Sequence, residues 1–264
     1  MSDTRGDELL EAYDGRLRGV IPDPLPRGVS VERDGPLLRF VGLDERGFVD
    51  YRDLDGLEGA ELDELIARQV RFFGERGLRF EWKYRSHDRP ADLIDRLLAA
   101  GFVPEDVETV LIARVADIAG EVSLPEGATL REVTELRDLR RLEAMEHAIW
   151  GGERHRMAER LDAERTADPD GITILIIEAG GEVVCGCWVR FEPAAGFATL
   201  WGGATLPGWR GRGIYRAAVA YRANLAAARG LRFIQVDASD DSRPILERLG
   251  FTVVTRTTPY IWSP

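Results

Sequence analysis

The residue types and spacing that best suggest chemistry lie in one segment, Pro207-Gly-Trp-Arg-Gly-Arg-Gly-Ile-Tyr-Arg216. Gly211 and Gly213 permit a tight turn and bring backbone N–H groups close to a ligand, because neither carries a Cβ. The alanine-rich stretch that follows predicts a helix over Ile214–Ala228, whose free N-terminal N–H groups and dipole attract anions. The segment also carries three arginines: Arg210, Arg212 and Arg216. It therefore predicts an anion-binding connection between a strand and a helix.

The distribution of charge supports an anion at this place. The chain has 264 residues and a formal net charge of −11, which argues against nonspecific nucleic-acid binding. Residues 1–120 carry a net charge of −9 and residues 121–264 a net charge of −2. The stretch Pro193–Val236 contains six arginines and no acid. We interpret this acid-free stretch as the part of the chain that hosts an anion.

Two common nucleotide-binding loops fit this segment poorly. A phosphate-binding P-loop needs a Lys-Ser or Lys-Thr pair, which is absent here. A dinucleotide fingerprint is closer, since Gly211-Arg-Gly213 precedes a helix and Asp237 ends the next predicted strand. Its third glycine is replaced by Arg216, however, and the unit does not open its domain.

The two halves of the chain share a series of landmarks. Gly77-Leu-Arg-Phe80 recurs as Gly230-Leu-Arg-Phe233. Each copy is followed by an Arg-Pro pair, a short helical stretch, a Gly-Phe pair and a strand-like segment. The order predicts a structural repeat, with domains at 1–118 and 128–264 and a linker at 119–127. The first copy has no arginine-glycine loop before its helix and is interpreted as degenerate.

Periodicity predicts strands mixed with helices in both halves, and therefore an α/β (α+β mixed sheet) fold. In the second half the expected helices are Glu135–Trp150, Ile214–Ala228 and Arg243–Leu249, with strands at 129–133, 172–178, 183–191, 197–206, 232–237 and 251–262. Residues 151–170 are expected to be polar and irregular, with a short helix as the alternative. In the first half we expect strands at 37–43, 47–54, 78–84 and 108–114 and helices at 60–75 and 91–100.

The loop resembles the acetyl-CoA loop of the GCN5-related N-acetyltransferase (GNAT) family, whose motif is Gln/Arg-x-x-Gly-x-Gly/Ala. Here the motif reads Arg210-Gly-Arg-Gly-Ile-Tyr215, with Tyr215 in place of the small sixth residue. The family's closing Leu-Gly-Phe signature is present as Leu249-Gly-Phe251. This resemblance covers residues 128–264 and implies the acyl-CoA N-acyltransferase (GNAT) fold, twice in tandem. The tandem order is similar to that of mycothiol-synthase-like proteins.

The resemblance also implies a set of cofactor-binding residues. Backbone groups of Gly203, Ala204 and Thr205 are expected to bond the pantetheine arm of acetyl-CoA. Ser239 occupies a position near the cofactor. The pyrophosphate is expected on the loop and the helix start, at Arg210, Gly211, Arg212, Gly213, Ile214, Tyr215 and Arg216.

The catalytic residues of the family do not carry over. The tyrosine that often serves as the acid is replaced by Leu246, and the strand 197–206 has no carboxylate to serve as the base. Candidate substitutes are Tyr260, and Glu146, His147 and Glu153 near the expected acceptor pocket; each also has an ordinary structural interpretation. Trp150, Trp188 and Trp201 are expected either to line that pocket or to belong to the core.

The resemblance implies an acetyl-CoA-dependent N-acetyltransferase acting on a primary amine, and we expect a cytoplasmic protein with a small-molecule acceptor and a monomeric or homodimeric state. No metal, nucleic acid or membrane is expected, and Cys185 and Cys187 are interpreted as packed strand residues. Two alternatives remain open. One is a catalytically inactive acetyl-CoA sensor, suggested by Leu246, and the other is a structural protein whose loop binds no cofactor.

Overall fold

The computed structural model describes residues 4–23, 25–26, 28–43, 46–151 and 156–264. The helices are α1 Thr4–Arg16, α2 Gly59–Gly74, α3 Leu93–Ala99, α4 Val115–Ile118, α5 Leu136–Trp150, α6 Met157–Ala167, α7 Ile214–Ala228 and α8 Arg243–Arg248. The strands are β1 Ser30–Asp34, β2 Leu37–Val41, β3 Gly47–Asp50, β4 Phe80–Arg85, β5 Val103–Pro104, β6 Glu108–Arg114, β7 Ala128–Glu132, β8 Ile172–Ala179, β9 Glu182–Glu192, β10 Phe197–Thr205, β11 Phe233–Ala238 and β12 Thr252–Trp262. No described helix is long and apolar enough to cross a membrane.

The first of two compact units combines Met1–Val110, less the gaps above, with Asp237–Asp241 and Val253–Pro264. Its strands lie in the order β1-β2-β3-β4-β12, with β5 also beside β12. Neighbours are antiparallel except for β3 and β4, which are parallel. The last strand of the chain therefore closes the sheet of the first unit. The sequence-based boundaries place these closing residues in the C-terminal domain, whereas the structure groups them with the N-terminal one.

The core of the first unit forms around helix α2. Its apolar residues recur at helical spacing, and Leu62, Leu65 and Phe73 are fully buried. They pack against large aromatic residues of β4, including Phe80, whose ring stacks on that of Phe73 with centroids 4.2 Å apart. Such aromatic burial is a major source of stability in a unit of this size.

The second unit comprises Leu111–Val236 and Ser242–Thr252. Its strands β7-β8-β9-β10-β11 are antiparallel up to β10, and β10 is parallel to β11. Alternate residues of β8 face opposite sides of this sheet, as the period of two requires. Ile174 and Ile176 join the core under α5 and α6, while Leu175 and Ile177 join the core under α7. The sheet of this unit is thus covered by helices on both faces.

Most predicted elements are confirmed, and Ile214–Ala228 and Glu108–Arg114 have the expected bounds. A short helix does form within residues 151–170, since α6 spans Met157–Ala167. Only its first turns are apolar, with Met157, Ala158 and Leu161 buried, so the periodic signal is short. Helix α1 and strand β1 were not predicted, since both are mostly polar and partly exposed.

Candidate functional site

Strand β10 contains a bulge at its C-terminal end. Its antiparallel register with β9 shifts between Gly202 and Ala204, and Gly203 has a φ of +92°. A Cβ added to Gly203 would lie 2.8 Å from Cε2 of Tyr215. Glycine is required here for its conformation and for the close approach of that ring. The bulge therefore brings the backbone of β10 directly against the first turn of α7.

Strands β10 and β11 separate before this bulge. Their parallel register joins Phe197–Thr199 to Phe233–Gln235, and no pairing between the two strands is found beyond it in the described chain. The remaining residues of β10 include the predicted Gly203, Ala204 and Thr205. Backbone groups on this side of β10 are not used by β11 and can hydrogen-bond a ligand.

The loop after β10 is fixed by its own contacts. A 3₁₀ turn, Pro207–Trp209, leads into it. Nε of Arg210 donates to the carbonyl oxygen of Thr205 at 3.0 Å, which joins the loop to the end of β10. The guanidinium of Arg212 lies over the Trp209 ring, 4.7 Å from its centroid. Both arginines are thereby held at the entrance to α7.

The loop glycines are needed for backbone conformation. Gly211 and Gly213 have φ values of +74° and +84°, and a Cβ added to either would meet nothing within 4 Å. Gly213 is the N-cap of α7 and supplies no side-chain cap. The open space above these glycines leaves the backbone accessible to a ligand.

The first turn of α7 presents free donors. The first intrahelical bond runs from the Ala217 N–H to the Gly213 carbonyl oxygen at 3.0 Å. The N–H groups of Ile214, Tyr215 and Arg216 precede it and have no intrahelical acceptor. In the described chain, no other protein acceptor for them is found. These donors, the helix dipole and the adjacent guanidinium groups suit a pyrophosphate.

Tyr215, which departs from the family motif, does not obstruct this turn. Its ring folds towards Gly203, and the residue is half-buried. Burial raises the pKa of its hydroxyl, so the side chain is neutral at physiological pH. The tyrosine therefore fills the space left by the β10 bulge and leaves the backbone donors open.

Arg222 has a role that the sequence did not reveal. This arginine of α7 is 1% exposed, and its Nε donates to the carbonyl oxygen of Ala218 at 3.0 Å. Its Nη1 donates to the carbonyl oxygens of Trp188 and Trp201 at 3.3 Å and 3.2 Å. These two residues are opposite one another on β9 and β10, next to the bulge. Arg222 thus fixes the strand pair to the helix.

This finding corrects the interpretation of the six arginines. Arg222 is committed to backbone carbonyls, and Arg229 lies over Phe191 and donates to the Leu225 carbonyl oxygen. Only Arg210, Arg212 and Arg216 flank the loop. The position of Arg222 four residues after Ala218, on the buried face of α7, was the signal for its structural role.

The candidate catalytic residues of the second unit lie on α5. Glu146 is buried at 2% exposure, and His147 is exposed. The thiols of Cys185 and Cys187 have pKa values raised mainly by burial, with a smaller contribution from the negative charge of Glu146. Glu146 is therefore a carboxylate inside the second unit, close to β9. Glu153 and His155 lie outside the described residues.

Tyr260 and Ser239 belong to the first unit, whereas the loop belongs to the second. Tyr260 is buried among apolar residues, and its ring meets that of Tyr84 edge to face, with centroids 6.1 Å apart. Burial raises the pKa of the Tyr260 hydroxyl. The roles assigned to both residues stay predictions.

The predicted pocket tryptophans divide between core and surface. Trp188 is buried, whereas Trp150 and Trp201 are exposed. Trp201 donates from Nε1 to Oγ1 of Thr199 at 2.8 Å. Cys185 and Cys187 are buried free thiols. Among the described residues, no group of His, Cys, Asp or Glu side chains is placed to hold a metal ion.

Comparisons with known proteins concern the sequence of this region and the fold of the chain. A model of the acetyltransferase (GNAT) family matches residues 135–251, the region that contains α5, the loop and α7. A search of curated protein sequences finds no significant match.

Solved structures with the same fold include a GCN5-related N-acetyltransferase from Kribbella flavida, with 18% identity, 90% of each chain covered and a TM-score of 0.66. One from Sphaerobacter thermophilus has 16% identity, covers 89% of this chain and 76% of its own, and has a TM-score of 0.63. A tandem GNAT protein from the clavulanic acid biosynthesis pathway has 13% identity, covers 99% and 95%, and has a TM-score of 0.62.

The fold is therefore that of the acyl-CoA N-acyltransferases, in a tandem arrangement. The match of the acetyltransferase (GNAT) family model to residues 135–251 is consistent with this fold.

Proposed function

We propose that this protein is an N-acetyltransferase that moves an acetyl group from acetyl-CoA to a primary amine of a small molecule. The observation that carries the proposal is the start of α7. Three N–H donors without an intrahelical acceptor lie beside Arg210, Arg212 and Arg216, at the end of a bulged strand. An anion with two adjacent phosphates suits this arrangement of charge and donors.

Two groups of residues would hold acetyl-CoA. The backbone of Gly203, Ala204 and Thr205 would bond the pantetheine arm, because β10 has left β11 at this point. The pyrophosphate would lie on the turn formed by Gly211, Arg212, Gly213, Ile214, Tyr215 and Arg216. Ser239 stays a predicted neighbour of the cofactor by resemblance. Acetyl-CoA supplies the acetyl group as an activated thioester.

The protein must keep the acceptor amine neutral and protonate the departing thiolate. In the described chain β10 has no carboxylate, and Leu246 on α8 is fully buried and cannot donate a proton. Glu146 and His147 are the proposed candidates in the second unit, with Tyr260 as a proposed acid from the last strand. Of these, Glu146 is the buried carboxylate, and burial is the environment that suits a general base.

A catalytically inactive acetyl-CoA sensor is the second candidate. Leu246 favours it, since this position lacks the acid that the family often uses. Such a protein would bind acetyl-CoA on the same loop and transfer nothing. The two candidates therefore differ in turnover and agree in binding.

One pair of measurements tests both. Calorimetric titration with acetyl-CoA should give a dissociation constant below about 100 µM, within the range of ordinary substrate affinities. Release of free thiol and mass change should then be followed over a panel of primary amines. Transfer to any amine supports the enzyme, and binding without transfer or hydrolysis supports the sensor. No heat at about 1 mM acetyl-CoA would overturn both candidates.

A further inference from the structure

Strand β10 is open to solvent at one place, Trp201 and Gly202. It lies between β9 and β11 in a sheet with helices on both faces, and its other residues are buried or half-buried. A tryptophan is usually largely buried, yet Trp201 is 46% exposed. This place follows Thr199, where the described pairing of β10 with β11 ends. The cover of the sheet therefore opens where β11 has left β10.

The side chain of Trp201 lies on the face of the sheet that α5 and α6 cover. Trp201 is directly opposite Trp188 in the antiparallel register of β9 and β10, so the two side chains share a face. Trp188 belongs to the core under α5 and α6, whereas Cys187 belongs to the core under α7. The indole of Trp201 and helix α7 therefore lie on opposite faces of the same strand.

The indole is held in place by its neighbours. Its Nε1 donates to Oγ1 of Thr199 at 2.8 Å, and the guanidinium of Arg190 lies 4.7 Å from its ring centroid. Arg190 is itself fixed, because its Nε and Nη2 donate to the two carboxylate oxygens of Glu164 on α6 at 2.5 Å and 2.9 Å. A side chain that is ordered before a ligand arrives loses little entropy on binding. Trp201 is thus a preorganised aromatic surface.

These contacts decide what kind of group suits the exposed surface. The one polar atom of the side chain, Nε1, is already bonded to Thr199, so the remaining surface is apolar and aromatic. A cationic group on this ring would lie beside the guanidinium of Arg190 and would be repelled. An uncharged aromatic ring gains stacking or edge-to-face contact without that repulsion. The surface therefore suits an uncharged aromatic ring.

The position of Trp201 relates this surface to the acetyl group, a step that rests on the proposed function. With the pyrophosphate at the start of α7 and the pantetheine arm on Thr205, Ala204 and Gly203, the arm runs along β10 towards lower residue numbers. Its thioester end would then lie beyond Gly203, in the direction of Trp201. Two residues of an extended strand span roughly 7 Å. An aromatic ring and an amine joined by a short aliphatic chain can bridge that distance.

We propose that Trp201 binds an aromatic ring of the acceptor, which makes the acceptor an arylalkylamine. The ring would contact the exposed indole while the amine nitrogen reaches the thioester. Transfer would form the C–N bond of the amide and break the C–S bond of the thioester, and the thiolate of CoA would take up the proton that the nitrogen loses. Trp201 determines specificity in this proposal and takes no part in the proton transfer.

The test compares phenethylamine with its saturated analogue, cyclohexylethylamine, on the full chain. The two amines share a carbon skeleton, and only the first has an aromatic ring. Affinity is measured by calorimetry with CoA at saturation and amine up to about 10 mM, and kcat/KM is measured with acetyl-CoA. Wild type should prefer phenethylamine about fivefold, and Trp201→Leu should show less than about twofold preference. Both proteins meet the same difference in basicity between the amines, so the change in preference reports the indole alone.

Further variants locate the ring. Trp201→Phe keeps an aromatic side chain and should keep a preference of about threefold. Trp150→Leu is the matched control, since Trp150 is also exposed, at 55%, but lies at the end of α5; it should keep the wild-type preference. All three variants should bind acetyl-CoA like wild type, which also shows that they fold.

The outcomes separate this inference from the proposed function. No binding of acetyl-CoA by wild type overturns the proposed function. Binding of acetyl-CoA without binding of phenethylamine, with equal binding of the two amines, or with a preference that Trp201→Leu retains, overturns the inference about Trp201 alone. A wild-type dimer that dissociates in Trp201→Leu, measured by sedimentation, would mean that a second copy covers the indole, and it also overturns the inference.

Discussion

The two strand-to-helix connections of this molecule share a position in the fold and differ in nearly everything that decides a ligand. The second connection turns on two glycines with positive φ and leaves three N–H donors open beside three arginines. The first has five acids in residues 53–63, the segment at the same distance before its own Gly-Leu-Arg-Phe, and a buried network of Arg18, Tyr51 and Asp88 lies in the same unit. The fold therefore provides a similar connection in both units, and the charges within residues 53–63 and 206–216 determine which ligands each connection can bind.

A second difference lies inside the helices that follow. Each helix has a buried polar residue eight positions before its Gly-Leu-Arg-Phe: Gln69 in α2 and Arg222 in α7. Both donate to the carbonyl oxygen four residues earlier. Gln69 also bonds the side chains of Asp34 and Arg39, whereas Arg222 bonds backbone carbonyls beside the β10 bulge. Of these two residues, Arg222 is the one that joins its helix to a strand pair beside a bulge.

The largest effect should come from placing a negative charge in the second connection. Gly213→Asp places a carboxylate at the N-cap of α7, where the pyrophosphate is proposed to lie. We expect acetyl-CoA affinity to fall at least about 1,000-fold, which corresponds to about 4 kcal/mol. Calorimetric titration measures this loss.

The matched control is Gly230→Asp. Gly230 also has a positive φ, +69°, and open space at its Cβ, but it lies at the other end of α7. An aspartate at position 230 would adopt the same unfavourable positive φ, but its carboxylate would lie away from the loop. Normal binding by Gly213→Asp, or an equal loss in Gly230→Asp, would show that the charge at the loop is not what selects the ligand.

The next effect concerns the buried ion pair between Asp50 and Arg85 in the first unit. Asp50 accepts from Nη2 of Arg85 at 2.8 Å and from the Gly19 N–H at 2.8 Å, and both side chains are buried. Asp50→Asn would leave the Arg85 charge unpaired and should lower the free energy of unfolding by about 3 kcal/mol. Urea denaturation at pH 7 measures the loss. Asp92→Asn is the control, because the Asp92–Arg96 pair is at the surface and should cost little.

The same variant makes a prediction about pH. Burial alone would raise the pKa of Asp50, but the charge of Arg85 and hydrogen bonds outweigh it, and the pKa lies below its ordinary value of 3.8. A depressed folded-state pKa contributes stability that is present above 3.8 and is lost as pH falls through the folded value. The gap between wild type and Asp50→Asn should therefore be constant above about pH 5 and shrink in acid. A gap independent of pH would contradict the assignment.

The sequence predicted the second connection better than the rest of the molecule for a physical reason. Glycines at Gly211 and Gly213 and an alanine-rich helix are local signals, and local signals determine a turn and a helix start. The closing strand is different. No local pattern in Val253–Pro264 indicates that this strand pairs with β4. The two strands are far apart in the sequence, and pairing between distant strands depends on tertiary packing.

The candidate catalytic residues could not be ranked from the sequence for a related reason. Glu146 and His147 are neighbours in sequence, yet the first is buried and the second exposed, so burial and not residue type separates them. Arg222 shows the same limit, since an arginine in an acid-free stretch suggests an anion until its three carbonyl acceptors are seen. Charge counts find the region, and only geometry assigns each charge.

A smaller effect on stability should follow from replacing Arg222 of α7 with glutamine, the residue found at the equivalent position 69 of α2. Arg222→Gln can keep the bond to Ala218 but cannot reach both Trp188 and Trp201. We expect a loss of about 2 kcal/mol in the free energy of unfolding, since hydrogen bonds from a buried charged group are removed. Arg229→Gln, the same change near the helix end, should cost less than about 0.5 kcal/mol.

Binding of fragments separates a positioning role from general destabilisation. If Arg222 sets the shape of β10, Arg222→Gln should weaken acetyl-CoA about tenfold and leave a pantetheine-free fragment such as adenosine 3′,5′-bisphosphate nearly unaffected. Equal weakening of both ligands would mean that Arg222 only stabilises the second unit.

The smallest effect uses the two thiols, both of which lie in the second unit. Burial first, and then the neighbouring Cys187, raise the pKa of Cys185 to about 12, so reaction with a thiol reagent at pH 8 requires the unit to open. β9 carries both thiols and pairs with β10, with Thr205 opposite Cys185. Acetyl-CoA at ten times its dissociation constant should therefore slow labelling about tenfold, and it has no free thiol to interfere. The Gly213→Asp variant should show no slowing. Equal protection in that variant would mean that the ligand stabilises the second unit from a site other than the loop.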